Sequence, residues 1–285
     1  MNLYYRVAEH IFTISTANPI MLAARMENLK PFESIKSDKI IFSLFLDASI
    51  EEQGKEVHNY DTDVLSYRFK KNDNGYCILF NNRYYQKNCM MVSNADFTEI
   101  KTNMSSDDID NMFLNNILMF AFSFSTIKTG TLMIHSSVAV FDNKAYAFLG
   151  KSGTGKSTHL GLWLKYIQGA TLLNDDNPII RIQDSNIYIY GSPWSGKGAV
   201  YLQEKYVLSG VTRLKQAPYN KIESISGAKA FAAMLPSCSK IQWEHDSFNS
   251  LCLSINKIIK SVPIYCLECL PNEAAARLSY QTLVK

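Results

Sequence analysis

The chain has 285 residues, 47% of them hydrophobic and 19% charged, and a formal net charge of +3. This composition supports a sizeable core in one large domain or two smaller ones, and it excludes an intrinsically disordered protein. So small a charge leaves no electrostatic footprint for nucleic acid or for an anionic membrane surface.

Six cysteines (Cys77, Cys89, Cys238, Cys252, Cys266 and Cys269) in a chain this long do not suggest a disulfide framework. The sequence Cys266-Leu267-Glu268-Cys269 lies in a strand-like run, where positions three apart face opposite sides, so it does not read as a metal or redox pair. The N-terminal residues lack the apolar region and cleavage site of a signal peptide. The most apolar window, residues 112–127, contains Asn115, Asn116, Ser123 and Ser125 and reads as a buried helix. The expectation is a soluble, reduced, cytoplasmic protein with no nucleic-acid or membrane partner; a homo-oligomer stays open.

Residues 1–105 read as a β-rich N-terminal lobe, with strands near 4–8, 10–15, 39–46, 65–70, 76–80 and 89–92. The Asn74-Gly75 step predicts a hairpin. The polar, acidic residues 48–63 predict an exposed loop, and His10 and His58 read as surface or turn residues. The second domain, residues 106–285, begins near a helix. Ser105 and Asp108 stand at capping-box spacing, and Thr129-Gly130 ends the helix near residue 127. Residues 131–141 alternate as one strand. The tight turn Asp142-Asn143-Lys144 then forces residues 145–149 to return antiparallel, so the sheet is expected to be mixed.

This second strand leads into Gly150-Lys151-Ser152-Gly153-Thr154-Gly155-Lys156-Ser157-Thr158, a full match to G-x-x-x-x-G-K-[ST]. A helix over residues 156–168 follows, predicted to bury Leu160, Trp163, Leu164 and Ile167 and to leave His159 facing solvent or packing locally. Strand, glycine-rich loop and helix N-terminus together make an anion cradle of backbone N–H groups. In it Lys156 would reach the β- and γ-phosphates of ATP, and the Ser157 hydroxyl would ligate Mg²⁺.

An apolar strand, residues 170–174, ends in Asp175-Asp176. One carboxylate can hold the metal and the other can accept the proton of an attacking hydroxyl. The reading leans to Asp175 as base or water-mediated metal contact and Asp176 as direct ligand, with the reverse division left open. A hairpin over residues 178–190 delivers a second glycine-rich loop, residues 191–198. Its Ser192, Ser195 and Lys197 could close on the γ-phosphate or the acceptor, or could form an ordinary connection. Arg213, in a short strand, reads as support for a sheet edge. Helices near 227–235, 245–260 and 271–283 and a strand over 263–270 complete the chain.

The mid-chain hairpin, residues 150–158 and Asp175-Asp176 resemble the C-terminal catalytic domain of HPr kinase/phosphorylases and the nucleotide site of ATP-dependent phosphoenolpyruvate carboxykinases. His135, fifteen positions before Gly150, matches a histidine that HPr kinases carry beside the reacting phosphate. The full-length match is most similar to HPr-kinase-like proteins that accompany peptide-modification genes. The resemblance covers roughly residues 131–200. It implies an α/β (α+β) mixed-sheet P-loop domain and an ATP- and Mg²⁺-dependent kinase acting on a hydroxyl, such as a serine of a peptide, a protein or a small molecule. Lys156, Asp175, Asp176 and His135 would then be catalytic. Thr158 stands where HPr kinases have Glu, and their arginine-containing signature is absent, which turns the reading away from HPr itself. The alternatives are a non-catalytic nucleotide-binding regulatory module and a plain NTP hydrolase.

Overall fold

Short apolar alternations separated by turns build the first half of the chain into one sheet. The computed structural model describes every residue except Lys197 and Lys285. It is mixed α/β with two mixed sheets, and it divides into two units: Met1–Thr126 with Ile241–His245, and Ile127–Lys240 with Asp246–Lys285. Among the described residues no helix is long and apolar enough to cross a membrane.

The first unit contains β1 (Asn2–Val7), β2 (His10–Ser15), α1 (Pro19–Arg25), β3 (Glu33–Ser34), β4 (Ile40–Phe45), β5 (Lys55–Asp61), β6 (Leu65–Asn72), β7 (Gly75–Asn82), β8 (Asn88–Asn94), β9 (Glu99–Thr102) and α2 (Asn111–Thr126). The strand order is β3-β1-β2-β4-β9-β8-β7-β6-β5. Three sequence expectations change here. Residues 55–61 are a strand, exposed along its whole length at the sheet edge; its polar composition is that of an edge, not of a loop. The hairpin turn is Asp73-Asn74, and Gly75 pairs with Asn72 as a strand residue. A Cβ at Gly75 would run into the Ser93 carbonyl, so glycine is needed for close approach.

The third change concerns α2, which begins at Asn111 because Asp110 Oδ1 accepts the N–H groups of Met112 and Phe113. Ser105 instead caps a local turn through the Asp107 N–H, and Ser106 bonds to Asp47. Helix α2 groups with the first unit, where Phe120 meets the rings of Tyr67, Phe69 and Phe80.

The second unit contains β10 (Thr131–Met133), β11 (Ser136–Phe141), β12 (Lys144–Leu149), α3 (Lys156–Tyr166), β13 (Thr171–Asp176), β14 (Ile179–Gln183), β15 (Asn186–Tyr190), β16 (Lys205–Gln216), β17 (Lys221–Ile225), α4 (Gly227–Met234), α5 (His245–Ser261) from Asp246 onward, β18 (Ile264–Cys269) and α6 (Glu273–Leu283). The order β10-β14-β15-β16-β12-β11-β13 carries β18 beside β16 and β17 beside β18. β11 and β12 are antiparallel, whereas β16 runs parallel to β12 and to β18, so this sheet is mixed. One face packs Phe148 and Tyr146 against α3 and α6; the other packs Val138, Ala147 and Leu149 against α4 and α5. Helices thus cover both faces of the sheet.

The single strand expected over residues 131–141 is two. β10 pairs with β14, while β11 lies between β12 and β13, and His135 sits in the break. Residues 131–134 and 136–140 are buried without interruption, so alternation carries no one-sided signal there. The break is held by the Ile134 N–H on the Pro178 carbonyl and the His135 N–H on the Ser237 carbonyl, at 3.1 and 2.6 Å.

The buried stripe of α3 is narrower than its spacing predicts. Leu160, Trp163 and Ile167 are buried, and Leu164 turns out to solvent. His159, expected near solvent, is buried instead. Its Nε2 lies 3.0 Å from Ser279 Oγ, which also accepts the Trp163 indole N–H at 2.8 Å and donates to the Ala276 carbonyl. Since that hydroxyl proton is committed, His159 is neutral with its proton on Nε2. Burial pushes its pKa down from 6.5 to about 4. The unfolded chain therefore takes up the proton first, and stability is lost as pH falls from about 6.5 towards 4, by about 3 kcal/mol in full. His159→Gln keeps a donor for Ser279 and is expected to flatten the fall in urea midpoint between pH 7 and pH 4.5. An unchanged slope in the variant would overturn this assignment.

Candidate functional site

Strand β12 ends at Leu149 and the chain turns through Gly150 to Gly155 into α3. Gly153 and Gly155 have φ of +77° and +104°, left-handed values that glycine adopts without a Cβ clash. Gly155 is the residue from which α3 starts, and the Thr154 N–H closes the turn on the Lys151 carbonyl at 3.1 Å. Lys151, Ser152, Gly153, Ser157 and Thr158 are exposed around the loop. A helix N-terminus leaves its first backbone N–H groups without partners inside the helix, and the left-handed glycines bring the chain into α3 at that point.

Lys156 is only 7% exposed. Its Nζ lies 2.8 Å from His135 Nε2 and donates to the carbonyls of Gly150 and Lys151 at 3.1 and 3.4 Å. Burial lowers its pKa and the nearby Arg213 charge adds to that, while Asp176 and Asp175 pull it back up. On the other side of the imidazole, His135 Nδ1 lies 2.8 Å from Asp176 Oδ1. With Lys156 as ammonium, one arrangement satisfies every partner. Lys156 donates to the Nε2 lone pair, and the Nδ1–H donates to the Asp176 carboxylate. Both side chains remain about two-fifths exposed, at 42% for His135 and 37% for Asp176.

Asp175 makes a separate set of bonds. Its Oδ1 accepts from Ser157 Oγ at 3.0 Å and, in a short bond, from Ser137 Oγ. Ser137 was not singled out in the sequence; it meets Asp175 because the two are register partners in the β11–β13 pair. The Ser157 hydroxyl and the Asp175 carboxylate are hard oxygen donors of the kind Mg²⁺ takes, alongside phosphate oxygens. Among the described residues no group of three or more His, Cys, Asp or Glu gathers into a metal-holding cluster.

Ser195 and Gly196 of the second glycine-rich loop lie against the acidic pair. The Gly196 N–H donates to the Asp175 carbonyl at 2.6 Å, and Ser195 forms a β-bridge with Asp176. A Cβ on Gly196 would collide with that carbonyl, so only glycine allows this approach. Ser192 is fully buried, and its hydroxyl is engaged with the Asn177 carbonyl, the Trp194 N–H and Asn174 Nδ2. It braces the loop from inside. Ser195 is half-buried, and Lys197 lies outside the described residues.

Arg213 does not support a sheet edge. It stands on the interior strand β16, between Leu149 of β12 and Cys266 of β18, and its Nη1 donates to the Ala233 carbonyl and Ser237 Oγ at 3.1 and 3.4 Å. Next to the glycine loop is a cavity of about 590 Å³, bordered by Thr158 and His159 on α3 and by Leu162, Leu214, Leu270 and Pro271. The Gln216 amide closes one side by donating to the Gly153 carbonyl at 3.3 Å.

No protein-family model matches the chain, and no curated protein matches it. Among solved structures the chain is similar to the Hpr(Ser) kinase/phosphatase from Coxiella burnetii, at 15% identity over 53% of this chain and 87% of that one, with a TM-score of 0.30.

Proposed function

We propose that the protein is an ATP- and Mg²⁺-dependent phosphotransferase that moves the γ-phosphoryl group to a hydroxyl of a peptide, protein or small molecule. The observation that carries this reading is the meeting of Lys156, the His135–Asp176 pair and the Ser157–Asp175 pair at one glycine loop. A plain anion-binding turn has no use for a histidine held between a carboxylate and a buried ammonium.

In this reading the amides of residues 150–156 cradle the phosphates and Lys156 stabilises charge on the transferring group. Ser157 and Asp175 would hold Mg²⁺, which when bound neutralises charge on the phosphate oxygens. This division reverses the lean of the sequence reading, because Asp175, not Asp176, stands with Ser157. His135 is the base. A phosphate that draws Lys156 towards itself frees Nε2 to accept the proton of the attacking hydroxyl, and Asp176 holds the imidazole through Nδ1. The cavity beside α3 is bordered by Leu162, Leu214, Leu270 and Pro271, apolar side chains that suit the nucleoside base.

The test is incubation of the protein with γ-labelled ATP, Mg²⁺ and a fractionated lysate of the source organism. The expected result is label in a single acid-stable, alkali-labile phosphoester whose formation is lost in Asp176→Asn. Release of free phosphate with no labelled acceptor would show a hydrolase instead. Tight nucleotide binding with no turnover on any fraction would show a regulatory module.

A further inference from the structure

The guanidinium of Arg213 has no role in the reaction outlined above. It sits level with Leu149, the residue that enters the glycine loop, on the strand parallel to β12. It is half-buried, both of its hydrogen bonds go to neutral oxygens, and no carboxylate pairs with it among the described residues. A partly buried cation without a counter-charge is costly, and such groups are ordinarily paired. The acidic pair of the site is engaged elsewhere, Asp175 with Ser157 and Ser137, Asp176 with His135.

Two further observations place this charge beside the glycine loop. Arg213 borders a cavity of about 440 Å³ together with Lys151, Ser152, Gly153 and Thr154. It also grips Ser237, whose carbonyl receives the N–H of His135, the residue in contact with Lys156. Both of its bonds use Nη1. A guanidinium has five N–H donors in a planar fork, so Nε and Nη2 keep donors for a phosphate.

We infer that Arg213 binds the terminal phosphate of the nucleoside triphosphate, supplying from the neighbouring strand a second cation opposite Lys156. The missing counter-charge is then the ligand's own, and the group that distinguishes a triphosphate from a diphosphate is the one Arg213 reads. This inference rests on the proposed nucleotide site.

The test is calorimetric titration of wild type, Arg213→Gln and Arg213→Lys with ADP and with a non-hydrolysable ATP analogue, both with Mg²⁺. Arg213→Gln is expected to weaken the analogue by about tenfold or more while ADP affinity stays within about twofold. Arg213→Lys is expected to lie between, since an ammonium keeps the charge but not the fork. Thermal unfolding without ligand checks that each variant is folded, and Arg213→Lys carries the comparison if Arg213→Gln is not. If a folded variant loses both nucleotides equally, or neither, the inference falls while the proposed function stands. If wild type binds neither nucleotide, both fall.

Discussion

Lys156→Ala is expected to lower phosphoryl transfer from ATP by about 10²–10³-fold or more, the loss seen when one preorganised donor is removed from a developing charge. The side chain is buried inside the loop, with its ammonium aimed at the loop carbonyls and at His135. No solvent ion replaces a group held in that position at so little reorganisation cost. The variant also removes the partner of His135 Nε2, so the imidazole loses one of its two anchors. Folding should survive, because the ammonium bonds only to loop carbonyls and to His135, and no sheet ladder depends on it. The measurement is label transfer at saturating ATP, with the urea midpoint recorded in parallel. Wild-type transfer by a folded variant would remove the basis of the proposed function.

Trp163→Ala is expected to cost about 3–5 kcal/mol, the range for deleting a large aromatic from a core. Trp163 is fully buried at the centre of α3, packed against the rings of Tyr146, Phe148 and Tyr280. Its indole N–H is one of the donors to Ser279 Oγ, so truncation removes a hydrogen bond as well as apolar area. The helix it anchors begins at Lys156, and loosening it loosens the glycine loop. Trp163→Phe should recover most of the packing but not the hydrogen bond. Urea unfolding followed by circular dichroism measures both. A loss below about 1 kcal/mol for the alanine variant would show that α3 is not held by this residue.

Much of the second unit was legible because its signals are local. The turn at Asp142-Asn143, with both residues at positive φ, turns the chain back within two residues and makes β11 and β12 antiparallel. The glycines of the loop and the helix after it follow from backbone sterics a few residues wide. Where burial is on both faces, the signal fails. Residues 131–141 read as one strand because every side chain in the two real strands is apolar or small, and the break at His135 depends on carbonyls of Pro178 and Ser237, far away in sequence. The same limit explains His159. Its neighbours on α3 gave no sign that Ser279 of α6 would bury it. In the first unit, the helix start moved from Ser105 to Asp110 because Ser106 is drawn to Asp47, a contact across 59 residues.

The sequence by itself determined the loop over residues 150–158, the strand and helix around it, and the acidic pair that follows, since each depends on backbone conformation and side-chain chemistry within one short segment. Only the tertiary structure decided how those groups divide. Asp175 faces Ser157 and Ser137 because β13 pairs with β11 in one register, and a shift by one residue would reverse the faces of every side chain on the strand. His135 reaches both Lys156 and Asp176 because the chain breaks where it stands. Arg213 comes beside the loop because β16 runs parallel to β12, a pairing across more than sixty residues. Strand register and crossover pairing are set by packing over the whole sheet, and no short stretch of sequence carries that information.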